Sequence, residues 1–253
     1  MSNNIIVVKL GGTEGVDFSA ICQDAARLLS QGQRLVLVHG GSAEANQLGE
    51  AVGYPARFIT SPSGYTSRYT DRRTLEIFAM AVNGKVNTLL VEQLQRLGVN
   101  ALGLSGLDGR LMAATRKDTI QSIENGKRKI IRDDYTGKIE TINTALLQTL
   151  LEGGYLPVIA PLAVSAAGEA LNVDADRAAA MVAAGLHAGT LLLLTNVPGL
   201  MRKFPDEDTL ISGLQRRSQH SSRPIGVHVE GFAGRTDRQR RDDRQVTGLQ
   251  QGL

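Results

Sequence analysis

Cysteine occurs once in the 253 residues. That excludes a disulfide framework and a cysteine-based zinc cluster, and it fits a reducing compartment. The lone Cys22 stands with Ile21, Ala25, Leu28 and Leu29 at helical spacing, so burial rather than chemistry is expected of it. No apolar run reaches the roughly 18 residues of a membrane span, and the start Met1-Ser2-Asn3-Asn4 carries no basic segment. A cytoplasmic, soluble protein without a membrane partner is expected. A Walker-type G-x-x-x-x-G-K loop is missing as well. Nor does the body carry a charge surplus, since residues 1–212 hold 20 Lys and Arg against 21 Asp and Glu. The net charge of +3 arises in residues 213–253, which hold eight Arg, four acidic residues and no lysine. The folded core therefore gives no reason to expect nucleic-acid binding. An RNA-binding tail is equally unsupported, because Phe232 is the only aromatic residue among those arginines.

Two short β-branched runs lead straight into paired glycines: Ile5-Ile6-Val7-Val8-Lys9-Leu10-Gly11-Gly12 and Leu35-Val36-Leu37-Val38-His39-Gly40-Gly41-Ser42. Such runs suit strands buried on both faces of a parallel sheet. Glycine at a strand end lets the backbone approach a ligand and turn N–H groups towards an anion. Lys9 adds a cation at the mouth of the first turn. Two such cradles suggest an enzyme that holds a phosphoryl group beside its acceptor, although strand–Gly-Gly–helix turns also occur without phosphate chemistry.

Helix and strand patterns alternate through the body. Helices are expected over 17–31, 43–52, 71–97 (weakened by Gly84), 141–152 and within 171–186. Strands are expected over 99–104, 155–160 and 191–195, with hairpins over 56–69 and around Glu124-Asn125-Gly126-Lys127. After Gly213 the periodicity stops. The pattern predicts an α/β fold, an open and mainly parallel sheet sandwiched between helices.

Four motifs in order carry a family resemblance: Lys9-Leu10-Gly11-Gly12, His39-Gly40-Gly41-Ser42, Leu171-Asn172-Val173-Asp174-Ala175-Asp176-Arg177-Ala178-Ala179 and Leu194-Thr195-Asn196-Val197-Pro198-Gly199. Over about residues 5–212 the chain resembles the amino acid kinase family, in its acetylglutamate kinase branch. Ser42 stands where acetylglutamate kinases usually have a third glycine. The stretches 64–71, 103–110 and 127–138 are similar to the carrier-linked kinases of lysine and arginine biosynthesis. Those enzymes act on aminoadipate or glutamate attached to LysW, a small acidic carrier protein. The resemblance implies transfer of the ATP γ-phosphoryl group to a side-chain carboxylate, giving an acyl phosphate, with Mg²⁺ accompanying the nucleotide. No dedicated metal ligands are expected.

A carboxylate with a pKa near about 4.3 is already ionised at neutral pH and needs no general base. The obstacle is repulsion between two anions, so catalysis should rest on cations and backbone donors. Lys9 is the expected catalytic cation, with the N–H groups around Gly11, Gly12, Gly40 and Gly41 as donors; the resemblance implies that Gly11 and Gly12 bind phosphate and that Gly40 and Gly41 bind the substrate carboxylate. Arg68 can grip a carboxylate bidentately, though an arginine in a polar loop is more often a surface charge. The resemblance makes it a clamp for the substrate's α-carboxylate. Asn172 and Asp176 are four apart near a helix start and could share a face. The resemblance implies that Asn172 binds substrate and that Asp176, expected to be buried beside Lys9, orients the catalytic lysines. Asp174 is the better N-cap, and His39 is expected to be structural, packed under the second turn. Thr195 and Asn196 would hold ATP, the latter where many relatives carry Asp. The cluster Lys127, Arg128, Lys129 and Arg132 reads as a solvated edge on charge alone. The resemblance makes it a docking patch for the acidic carrier.

The division expected is an acyl-substrate lobe over 1–170, the start of an ATP lobe over 171–212, and an atypical arginine-rich tail over 213–253. Relatives carry a second catalytic lysine in that last part, but this tail has none. The abrupt switch to arginine is what an altered reading frame produces, and a disordered divergent tail is the alternative. Either way the ATP lobe is expected to be incomplete, leaving strand 191–195 without cover, with weak ATP binding and slow turnover. A homodimer is expected, since the ring-forming relatives extend an N-terminal helix for which residues 1–4 leave no room. Three readings stand side by side: a carrier-linked kinase, a plain N-acetylglutamate kinase, and a non-catalytic relative acting as a binding subunit.

Overall fold

A computed structural model describes residues 5–12, 18–62, 64, 66–117, 119–124, 127–195, 199, 201–203, 206–211 and 226–231. In chain order the elements are β1 (Ile5–Leu10), α1 (Phe18–Ser30), β2 (Arg34–His39), α2 (Ser42–Ala51), β3 (Phe58–Thr60) and β4 (Thr66–Arg68). A long helical segment follows, α3 (Arg72–Ala79) passing through a π-helical stretch, Met80–Asn87, into α4 (Thr88–Arg96). Next come β5 (Ala101–Ser105), β6 (Met112–Arg116), β7 (Ile120–Glu124), β8 (Lys127–Ile131), β9 (Gly137–Ile142) and α5 (Thr144–Glu152). The last are β10 (Leu156–Ala160), β11 (Leu162–Val164), β12 (Ala170–Asn172), α6 (Ala175–Gly185), β13 (Thr190–Thr195) and β14 (Gly226–Gly231).

The main sheet has the order β14-β13-β1-β2-β10-β5, and every pairing in it is parallel. Strand alternation sorts β1 onto two cores. Ile5 and Val7 pack with Val182 of α6 and Leu147 of α5, while Ile6, Val8 and Leu10 pack with Ile21 and Cys22 of α1 and Leu90 of α4. The fully buried Cys22 is therefore a core residue. The sandwich of helices around a parallel sheet follows from strands apolar on both faces. A second sheet, β12-β11-β6-β9, and the hairpins β3-β4 and β7-β8 are not hydrogen-bonded into it, although the second sheet shares its core through Met112, Ile139 and Leu171.

Three details differ from the sequence reading. Gly84 does not interrupt its helix, which stays continuous by widening to π-type bonding around it. Thr141 and Ile142 end a strand, β9, rather than start a helix; Asn143 caps α5, its side-chain oxygen accepting from the Leu146 N–H. The tail also supplies structure, since β14 pairs along the whole of β13 from Thr190↔Gly226 to Thr195↔Gly231. The backbone edge of β13 is thus covered, contrary to the expectation of a bare strand. Six consecutive residues with a Val-x-Val core suffice for an edge strand even in an arginine-rich segment.

Candidate active site

Lys9 follows Ile5 and Val7 on the face of β1 that packs against α6, so alternation aims its side chain at the start of that helix. Its Nζ lies 2.8 Å from Asp176 Oδ1. Asp176 sits in the first turn of α6, a turn fixed by Asp174, whose carboxylate accepts from the Arg177 N–H as the sequence predicts for the N-cap. The expected burial is inverted. Lys9 is 13% exposed and Asp176 59%, because the lysine stem threads between strand and helix whereas the aspartate stands at the open end of the helix.

The two glycine turns touch. A Cβ on Gly12 would lie 2.1 Å from the Gly41 nitrogen, and one on Gly40 would lie 2.7 Å from the Gly12 nitrogen. No side chain fits at either position, so the turns form one continuous backbone floor. Not all four glycines can offer a donor to a ligand. The Gly11 N–H donates to the Leu194 carbonyl and the Gly40 N–H to the Leu10 carbonyl. Parallel pairing simply runs one residue past each strand end. Of the four, Gly12 and Gly41 keep N–H groups unengaged among the described residues.

Beneath the second turn His39 is fully buried. Its Nδ1 is 2.6 Å from the Gly40 carbonyl, and its Nε2 is 2.9 Å from the side-chain nitrogen of Asn87, which also donates to the Val158 carbonyl. The carbonyl can only accept, so Nδ1 carries the proton and Nε2 accepts from Asn87. Asn87 is the partner that sequence reasoning missed. Burial lowers the His39 pKa from 6.5 to about 4, partly opposed by the bond to Gly40. Between those values an unfolded chain takes up a proton that the folded one refuses. The stabilisation is complete above pH 6.5 and is lost as pH falls towards 4, at about 1.4 kcal/mol per pH unit. Denaturant titrations of wild type and His39→Gln should therefore converge by roughly 3 kcal/mol between pH 7 and pH 4. An unchanged gap would contradict the buried neutral imidazole.

Arg68 ends β4, where it pairs with Phe58 of β3. Only 8% exposed, its guanidinium lies 5.4 Å from the Phe58 ring centre and 5.8 Å from that of Phe78. One Nη donates to the Ser42 carbonyl at 3.2 Å, immediately beyond Gly41. No carboxylate pairs with it among the described residues. Burial lowers its pKa, the signature of a charge that has given up water without gaining a counter-ion. Asn172 closes β12 rather than entering α6, so the helical i, i+4 relation to Asp176 does not apply. Its side-chain nitrogen donates to Thr70 Oγ1 at 3.1 Å instead, and Thr70 Oγ1 donates to the Arg68 carbonyl at 3.2 Å.

Thr195 lies at the C-terminal end of β13, one residue beyond the Leu194 carbonyl that binds Gly11. Asn196 falls outside the described residues. The basic segment forms the expected hairpin, β7 pairing β8 from Ile120↔Ile131 to Glu124↔Lys127. Arg128, Lys129 and Arg132 are exposed, whereas the Lys127 side chain is outside the described residues. Ile120 and Ile131 pack on Ile59 and Tyr69, and the Tyr69 hydroxyl donates to Asp133 at 2.6 Å. The hairpin that carries the cluster is thereby anchored on the hairpin that carries Arg68.

A lysine held by a carboxylate, a glycine floor and a desolvated arginine beside the second turn suit transfer of an anionic group. The sequence matches the amino acid kinase family over residues 4–229, and the chain belongs to that family: it is a kinase. It is 59% identical over 208 residues to a LysW-aminoadipate kinase of Deinococcus radiodurans, an alignment covering 82% of this chain and 71% of that one. An acetylglutamate kinase of Methanopyrus kandleri is 36% identical over 226 residues, covering 89% and 85%. Among solved structures, smu.665 from Streptococcus mutans superposes with a TM-score of 0.63 at 29% identity, covering 79% of this chain and 76% of that one. No helix among the described residues is long and apolar enough to cross a membrane.

Proposed function

We propose that this kinase transfers the γ-phosphoryl group of ATP to the side-chain carboxylate of aminoadipate carried on an acidic LysW-type protein, in amino-acid biosynthesis. The observation that carries the reading is Arg68, a buried guanidinium with no carboxylate partner among the described residues, beside the second glycine turn. It suits the α-carboxylate of an acidic amino acid, with Asn172 alongside. The side-chain carboxylate would then lie over Gly41, and the phosphoryl group over Gly12 and Lys9.

The step needs no base. A carboxylate oxygen attacks the γ-phosphorus, its new O–P bond forming as the bond to the β-phosphate oxygen breaks, and ADP departs with the electron pair. Lys9 Nζ and the N–H groups of Gly12 and Gly41 oppose the charge on the phosphoryl oxygens, and Asp176 holds Lys9 in place. Thr195 and Asn196 would bind the nucleotide. Mg²⁺ would arrive on the nucleotide phosphates. With no lysine in residues 213–253 to neutralise the leaving group, turnover should be slow. Arg128, Lys129 and Arg132 would steer the acidic carrier.

Hydroxamate trapping of the acyl phosphate tests the acceptor. Carrier-bound aminoadipate should be used at least tenfold better, in kcat/KM, than free N-acetylglutamate. Product from N-acetylglutamate and none from the loaded carrier would favour the acetylglutamate kinase reading. Carrier-bound glutamate lacks one methylene, a difference worth only about 1–3 kcal/mol in a pocket, so some activity on it is expected.

A further inference from the structure

Arg68 and Asn172 are 104 positions apart in the chain and belong to separate sheets, yet the reading above requires both to face one acceptor. What fixes their spacing is a buried connection through Thr70 and Asp134, both fully buried. The Asp134 carboxylate accepts from the Thr70 N–H at 3.0 Å with one oxygen and from the Thr136 N–H at 2.7 Å with the other. Between these two bonds the Tyr135 N–H donates to the Thr70 carbonyl at 2.7 Å, and the Tyr135 carbonyl accepts from the Asn172 N–H at 2.9 Å. Thr70 completes the path with its hydroxyl, taking the Asn172 amide and giving its proton to the Arg68 carbonyl. Arg68 and Asn172 are therefore referred to a single carboxylate.

We infer that Asp134, acting through Thr70, is a positioning residue that sets the separation between Arg68 and Asn172 and thereby acceptor affinity. A carboxylate suits the task because it accepts only, and both incoming groups are main-chain donors. Asp134→Asn would turn one acceptor into an amide that faces an N–H, pushing the Thr70 or the Thr136 side away. Thr70→Val keeps the volume and deletes both hydroxyl bonds, whereas Thr70→Ser retains them. A misplacement of a few tenths of an ångström weakens a bidentate grip while leaving the nucleotide side untouched.

The inference rests on the acceptor reading, and a binding measurement separates the two. Titration calorimetry of the full chain with N-acetyl-aminoadipate, and separately with ATP, is the experiment. Asp134→Asn and Thr70→Val should bind the dicarboxylate at least tenfold more weakly than wild type, with Thr70→Ser within threefold and ATP affinity within twofold throughout. Added to Arg68→Lys, Thr70→Val should cost less than it does alone, because both changes act on one contact. Folded Asp134→Asn with wild-type dicarboxylate affinity would overturn the proposal, as would equal losses of dicarboxylate and ATP. If Asp134→Asn fails to fold, Thr70→Val decides alone. Wild type that binds only the carrier-bound aminoadipate is titrated with that acceptor instead, and wild type that binds ATP but neither acceptor would defeat the acceptor reading, and this inference with it.

Discussion

Lys9→Ala should lower kcat by at least tenfold while leaving the acceptor KM within about threefold. The lysine ammonium stands at the first glycine turn with its stem buried and its head fixed by a carboxylate. Charge accumulates on the phosphoryl oxygens only as the transition state forms, so an ammonium there acts on the barrier more than on ground-state binding. Tenfold corresponds to about 1.4 kcal/mol, a modest demand on a cation shielded from water on most sides. Single-turnover hydroxamate formation measures it even if steady-state turnover is slow. A kcat within threefold of wild type, worth about 0.7 kcal/mol, would remove Lys9 from the mechanism.

Arg68→Ala should act on the opposite parameter, raising the acceptor KM roughly ten- to hundredfold with a smaller change in kcat. A charge-assisted, bidentate grip on a carboxylate contributes about 1.5–3 kcal/mol, and it is made in ground state and transition state alike. Arg68→Lys should not restore it, since an ammonium cannot present the planar fork. The fold should tolerate the loss. The deleted guanidinium sits between Phe58 and Phe78 with no counter-ion among the described residues, so its removal relieves a desolvated charge as it opens space. Thermal melts should show little change in Tm, and a collapse in Tm together with wild-type KM would mark Arg68 as structural.

Much of the fold was legible because one-dimensional patterns encode it. Apolar runs ending in Gly11-Gly12 and Gly40-Gly41 announce parallel strands, and Glu124 to Lys127 announces a hairpin that the register Glu124↔Lys127 bears out. Asp174 reads as a cap from local spacing alone. The four glycines are likewise determined locally as close-approach positions. Which of them still offers an N–H was not, because Gly11 and Gly40 are engaged by carbonyls of neighbouring strands. The exposure of Asp176, the partnership of His39 with Asn87, and the path from Arg68 through Thr70 to Asp134 and Asn172 were hidden for the same reason. Each joins groups 48 to 167 residues apart in sequence. Periodicity records which face of an element is apolar, and a cap or a glycine turn closes within a few residues. A buried polar contact between distant segments leaves no periodic trace, because its partner is chosen by how the sheets stack.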